Sequence, residues 1–348
     1  MTVRVLLADK TGLVLAETAA RVTAVSERLN KYGRADLVIS RNDLTAVADN
    51  LQFGGRVLIQ FDNGLPDWGG VFELPRKWGD GDIALTAYSG AYLLALRRTG
   101  KGRYFTNATV GEIFAAVINE ANAVAGMGIA VGDVWGGGDI HSPDYHLDSL
   151  YDIITKSVCG RLSEADFAVE PTLVSGRLSF VAHLYERHGA DKLNIAMLEG
   201  HNVQVNNFNE QGPLHNEITL AGADVTGTGS TGWGDGRLIA QAADLASINS
   251  YGLRQYSEVH GGVTSQVTLD GSAEIILDER AQPHELFDLA AIDLAPAAFA
   301  DYGVGDSVVA WLHSYGFGGT VSRVKVLGRS FLPEQGVAAL VVREVSDG

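Results

Sequence analysis

The sequence predicts a β-rich α+β protein in which two similar antiparallel β-domains, each a barrel or a sandwich, flank a smaller α/β insertion. Three observations lead there. First, one pattern occurs twice. Asp36-Leu37, Ala46, Ala48, Asp49, Gly54 and Val57-Leu58 are answered by Asp288-Leu289, Ala298, Ala300, Asp301, Gly305 and Val308-Val309 at a nearly constant separation. The echo runs on, with Gly69-Gly70-Val71 set against Gly318-Gly319-Thr320-Val321 and Gly81–Leu85 against Gly336–Leu340. Similarity at a fixed separation is the mark of a repeated structural unit. Second, 42 glycines stand against 8 prolines, and short runs of period-two alternation recur between them; tight turns joining strands need that composition. Third, helical periodicity is concentrated between the two copies.

Taken in order, residues 3–8 and 20–26 read as strands around a turn at Gly12, and 35–41 as a third. Asp43–Asn50 reads as a short helix or ordered connection that Asp43 can cap. Residues 56–61, 69–75 and 82–88 continue the strands, with Asp62-Asn63-Gly64 as a hairpin tip. Thr109 and Glu112 form a capping box opening a helix whose apolar stripe is Ile113, Phe114, Val117, Ile118 and Ala121. Leu147–Val158 reads as a second helix closed by Gly160, and 166–170 with 177–185 as a hairpin. His215–Leu220 alternates like a strand leading back to a barrel. Gly222–Gly236 is glycine-rich and reads as a mobile loop, with Trp233 as a candidate anchor for a neighbouring chain. Residues 237–248 are Ala-rich and read as helical, and Ser272–Gln282 as a helix stopped by Pro283. The expected domains are 1–95, a first β-domain; 96–200, an inserted module of two helices and a hairpin; and 201–348, a second β-domain carrying the glycine-rich loop.

The net charge of −16 over 348 residues argues against a grip on nucleic acid, which needs clustered Lys and Arg. Cys159 is the single cysteine, so no internal disulfide or thiolate metal cluster is expected; it reads as a small buried hydrophobe. No apolar run reaches membrane-spanning length. The start of the chain alternates like a strand and does not read as a signal peptide.

No enzyme motif stands out and no cofactor is expected. Gly136-Gly137-Gly138 lacks the Lys-Ser/Thr of a phosphate-binding loop. His141 and His146 flank Asp144 in a loop and read as scattered surface histidines, the alternative being a metal site. Asp144, Asp148 and Asp152, four apart, read as a solvated helix face rather than a glycosidase pair. Trp68, Trp78, Trp135 and Trp233 read as filling cores or subunit interfaces, the alternative being a glycan site; Trp68 and Trp233 are the interface candidates. In the basic cluster Arg97, Arg98, Lys101 and Arg103, Arg97 and Arg98 are candidates for contact with an acidic neighbour, the alternative being a solvated connector.

Four stretches resemble the hub proteins of phage tail tips and baseplates: Thr109–Phe114 opening a helix; His146–Gly160 followed by the hairpin ending Gly176–Phe180; Asn216–Gly222; and Tyr251-Gly252, a helix ending before Pro283, a strand, then Gly303-Val304-Gly305-Asp306. Their order carries the resemblance over most of the chain. It implies two tail-tube-like barrels per chain, so that a homotrimer presents six similar barrels and joins a threefold tip to a sixfold tube. It also implies a non-enzymatic virion protein of the tail tip, made in the host cytoplasm. Its partners would be the distal tail protein and tail tube protein above, the tape measure protein, and tip or fibre proteins, with DNA only in transit. Relatives often carry a receptor-binding or wall-degrading extension; this sequence stops at residue 348 and neither role is expected of it. Two other readings stay open: the hub or spike base of a contractile injection system, and a carbohydrate-binding or glycan-cleaving β-protein.

Overall fold

The computed structural model describes the chain except residues 1–2, 138–139, 161, 213, 227–235, 262, 314–319 and 346–348. Seven strands open it: β1 (Val3–Ala8), β2 (Val14–Thr18), β3 (Arg21–Arg28), β4 (Arg34–Ser40), β5 (Arg56–Phe61), β6 (Trp68–Trp78) and β7 (Asp82–Ser89). A short helix, α1 (Tyr92–Ala95), leads into a middle module. That module holds β8 (Arg103–Tyr104), α2 (Val110–Val124), β9 (Ile129–Val134), β10 (Asp144–Tyr145), α3 (Leu150–Asp152) running into a π-helix over Ile153–Val158, and the hairpin β11 (Asp166–Val174) and β12 (Arg177–Tyr185). Next come β13 (Asp191–Leu198) and β14 (Val203–Gln211). A second small module follows: β15 (Glu217–Asp224), β16 (Arg237–Ala243), α4 (Leu245–Tyr251), β17 (Gln255–Val259) and α5 (Gln266–Arg280). The chain then finishes with β18 (His284–Ile292), β19 (Ser307–His313), β20 (Thr320–Leu332) and β21 (Val337–Glu344).

The strand order of the first half reappears in the second. The path β3-β4-β7-β6-β5-β1 has the counterpart β14-β18-β21-β20-β19-β13. Register agrees as well as order. Asp36-Leu37 of β4 lie opposite Thr86 and Leu85 of β7, as Asp288-Leu289 of β18 lie opposite Val341 and Leu340 of β21. Arg56, Val57 and Leu58 of β5 pair Val71, Gly70 and Gly69, as Ser307, Val308 and Val309 of β19 pair Lys325, Val324 and Arg323. Even the irregularity is repeated: β3 bulges between Val22 and Ala24, and β14 bulges between Val205 and Asn207 at the matching step. Bulges re-aim a strand and are designed features rather than defects. The edge position differs, because β1 runs antiparallel to β5 while β13 runs parallel to β19.

Each half has its own apolar core. Val5, Leu7, Leu37, Val57, Phe72 and Leu85 belong to the first, and Phe287, Leu289, Val308, Val324, Phe331 and Leu340 to the second. Period-two alternation puts one side chain of every two on this face. The middle module buries Ile113, Phe114, Val117 and Ile118 of α2 against Ile154, Val158 and Phe180. The Thr109–Glu112 capping box forms as expected, with Thr109 N–H donating to Glu112 at 2.8 Å and Glu112 N–H to Thr109 Oγ1 at 3.2 Å.

Several sequence expectations need correcting. The large antiparallel sheets stand, but among the described residues no pairing closes either half into a barrel. Residues 237–243 form a strand, because Leu238, Ala240 and Ala242 alternate onto the core of the second module and that packing outweighs alanine's helix propensity. Glu217–Asp224 does not return to a barrel but centres a separate sheet, β16-β15-β17, packed on α5. The helix expected from Leu147 starts at Leu150 and widens into a π-turn, which brings Ile153, Ile154 and Val158 to one core and Ser157 Oγ to 2.8 Å from Tyr145 Oη. The glycine pair of β6 has no glycine opposite it in β20: the registers match Gly70 with Val324 and Val71 with Lys325. Gly318 and Gly319 lie outside the described residues.

Candidate assembly interface

The two halves share one sheet. Strand β3 pairs antiparallel with the far end of β20, with Val25, Ser26, Glu27 and Arg28 opposite Phe331, Ser330, Arg329 and Gly328. This makes a single 13-stranded sheet across both halves. Long β20 serves two neighbours along one edge: Thr320–Lys325 face β19, and Gly328–Phe331 face β3.

An arginine seals the junction. Arg329 is buried; Nη1 donates to the carbonyls of Phe299 at 2.9 Å and Tyr302 at 2.6 Å, and Nη2 donates to Glu27 at 2.9 Å. Its guanidinium lies 4.5 Å from the centre of the Phe331 ring. Burying a cation is costly unless its donors are met; here two carbonyls and a carboxylate of the other half meet the two Nη groups, while Nε–H has no hydrogen-bond partner among the described residues.

Asp166 makes a second tie. Its carboxylate accepts from Asn30 Nδ2 at 2.8 Å in the first half, from His188 N–H at 3.0 Å, and from Lys325 Nζ at 3.2 Å in the second half. Arg56 joins the first half to the middle module, donating to Leu178 O at 2.6 Å and Met127 O at 3.2 Å; burial lowers its pKa. Gly12, at φ +90°, sits where a Cβ would lie 2.1 Å from Leu178 O, so only glycine allows that approach. Asp306 anchors the start of β19. Burial opposes its ionisation, but Lys192 Nζ at 2.8 Å and the N–H groups of Ala190 and Gly303, each at 2.7 Å, hold its pKa below the ordinary aspartate value.

The sequence candidates fall differently. Trp68 is buried in the first core with Nε1–H donating to Ser26 O, so its ring is not a surface anchor. Trp135 packs on the middle core, whereas Trp78 is 56% exposed. Trp233 lies outside the described residues. Arg97 and Arg98 each donate to a carbonyl of their own chain, Ala125 and Leu147 respectively. Asp144 meets His146 at 3.2 Å, Asp148 accepts from His146 N–H, and Asp152 pairs with Lys156, so these carboxylates are engaged locally. No group of three or more metal-ligating side chains assembles among the described residues. Cys159 packs against the middle core, and burial pushes its thiol pKa up. No described helix is long and apolar enough to cross a membrane.

Sequence reasoning missed Arg329 and Asp166. Both were visible as charges inside apolar strands, Arg329 in Val-Leu-Gly-Arg-Ser-Phe and Asp166 before Phe-Ala-Val. A charge in a buried strand implies a fixed partner.

Solved structures share this architecture from end to end. A tail protein from Neisseria meningitidis MC58 superposes with a TM-score of 0.61 at 12% identity, covering 100% of this chain and 98% of that one. The 43 kDa tail protein of prophage MuSo2 from Shewanella oneidensis gives 0.58 at 12% identity, with 98% and 97% covered. This is the fold of phage tail proteins. The E. coli c3393 protein, a type VI secretion component described as similar to T4 tail proteins gp27 and gp5, shares the tail-protein fold at a TM-score of 0.53 and 10% identity, with 94% of this chain and 75% of that one covered. No family model matches the sequence, and no curated protein matches it.

Proposed function

We propose that the protein is a structural hub at the tip or baseplate of a phage tail, working as a homotrimer without enzymatic activity. One observation carries this: a single chain holds the same strand order twice, in matching register, fused through one sheet. Three such chains present six near-equivalent units, which suits a piece placed between a sixfold tube and a threefold tip. In that role each half contributes to a barrel-like wall around the ejection channel. The distal tail and tube proteins sit above it, the tape measure protein and tip or fibre proteins contact it, and DNA passes through without being held. The charge of −16 fits a wall that repels the phosphate backbone, with Asp and Glu outnumbering Lys and Arg on the inner side. Trp233, within the glycine-rich 222–236 segment, is proposed as a contact to the neighbouring chain, and deleting 227–235 is expected to weaken assembly.

The test is the mass of the purified chain in solution, followed by imaging of the assembled particle. Three copies in a ring at the tail tip support the reading. A chain found singly, or in a sixfold or helical array along the tube, removes it. The fold shared with the type VI component favours one second reading, the hub of a contractile injection system; a sheath in the micrograph selects it.

A further inference from the structure

The β3–β20 junction inside the chain can be compared with the free edges of β6 and β14. Aligned through β7 and β21, the registers match Trp78 with Phe331, Lys77 with Ser330 and Phe72 with Val326. Between these anchors Arg76 falls on Arg329. Both strands are irregular here: β6 shifts register between Glu73 and Lys77, an interval that contains Arg76, and β20 between Val326 and Gly328, just before Arg329. Through β4 and β18, Val25 matches Phe208, so Ser26 and Glu27 correspond to Asn209 and Glu210.

The arginine has kept its inner contact as well. Arg329 donates to Tyr302 O, and Arg76 donates to Leu51 O, three residues before Gly54 as Tyr302 is three before Gly305. Arg329 also has Glu27 across the junction; Arg76 has no ion-pair partner among the described residues, and neither has Glu210. Each segment is correspondingly uncovered. No described strand pairs with the edge of β6 that corresponds to the β3-bearing edge of β20, and Leu74 and Trp78 are 64% and 56% exposed there. On β14, the edge away from β18 is likewise unpaired, and Glu210 is exposed. Unpaired edges of this kind template addition of another strand.

We infer that β14 of one copy adds antiparallel to the outer end of β6 in the next copy, setting Glu210 against Arg76, Asn209 opposite Lys77 and Phe208 opposite Trp78. The partner is a second copy of this chain, chosen because the chain already builds this contact once between its own halves. The contact joins different patches on the two copies, so it propagates head to tail until the ring closes. This rests on the hub reading above and specifies its contact.

The experiment uses the full chain in two independent arms. Arg76→Glu and Glu210→Arg are each expected to weaken self-association at least about tenfold, and the double exchange R76E/E210R to restore it, at unchanged melting temperature. Directly opposed antiparallel residues hold their Cβ atoms close enough for a disulfide. Lys77→Cys with Asn209→Cys in one chain is therefore expected to give linked species of two and three chains under oxidation, while either single variant gives none. Wild-type trimers that ignore both charge reversals and yield no link would leave the hub reading standing and overturn this contact. Links from Lys77→Cys to another tail protein overturn it too. A chain that stays single at every concentration, and yields no link, overturns both.

Discussion

At the residue scale, buried charges hold this molecule together where its parts meet. Arg329, Asp166 and Arg56 each sit at a boundary between modules, Asp306 sits inside the second half at the start of β19, and all four are met by carbonyls, N–H groups or an opposite charge. Removing one partner strands the others in a low-dielectric setting, which costs more than the bond itself contributes. Arg56→Leu is expected to lower unfolding stability by about 2–3 kcal/mol, because the carbonyls of Leu178 and Met127 lose their donor; a denaturant titration reads this directly. Asp306 adds a pH dependence. Its folded pKa lies below the ordinary 3.8, so its stabilisation is present above that value. It is lost as pH falls below 3.8 towards the folded-state pKa. Asp306→Asn is expected to cost about 2 kcal/mol at neutral pH and to flatten the acid limb of the stability profile. An acid limb unchanged by the substitution would show that other carboxylates carry it.

At the element scale, local rules and tertiary context divide the fold between them. Where the pattern is strong the boundaries were legible: β1, β5 and β12 span the residues that their alternation predicts, and α2 begins at the residue after its Thr109 cap. Thr109→Ala is expected to cost about 1 kcal/mol, measured by thermal or chemical unfolding, because Glu112 N–H loses its acceptor. Elsewhere context decides. The run after Arg237 is Ala-rich, yet it forms a strand because β15 lies beside it and α5 covers one face. Strands β13 and β17 went unread since each is placed by a parallel neighbour far away in sequence, β19 and β15 respectively. The likeness of Arg76 to Arg329 was hidden for a related reason. Leu-Pro-Arg-Lys-Trp and Gly-Arg-Ser-Phe share little, and the two strands bulge differently on the way. Only the pairing register brings the two arginines to the same place.

At the scale of the whole molecule, the duplicated pattern was legible because its matching residues lie in β4 and β5, with counterparts β18 and β19, and in the connection between each such pair. The way in which the halves join was not, since edge pairing depends on backbone groups that every residue has. The fusion through β3 and β20 predicts that the halves do not unfold independently. A single cooperative transition, coincident by fluorescence and far-ultraviolet dichroism, is the expected result. Glu27→Gln is expected to separate the two signals by loosening the clasp on Arg329.

One difference between the halves remains to be followed outward. Strands β3 and β4 are joined by a short turn, whereas their counterparts β14 and β18 are separated by the whole module from β15 to α5. In the proposed circle of three molecules, every second station would then carry this insert between those two strands, and the stations between would lack it at that place. A ligand or fibre that grips the insert would find three equivalent berths rather than six.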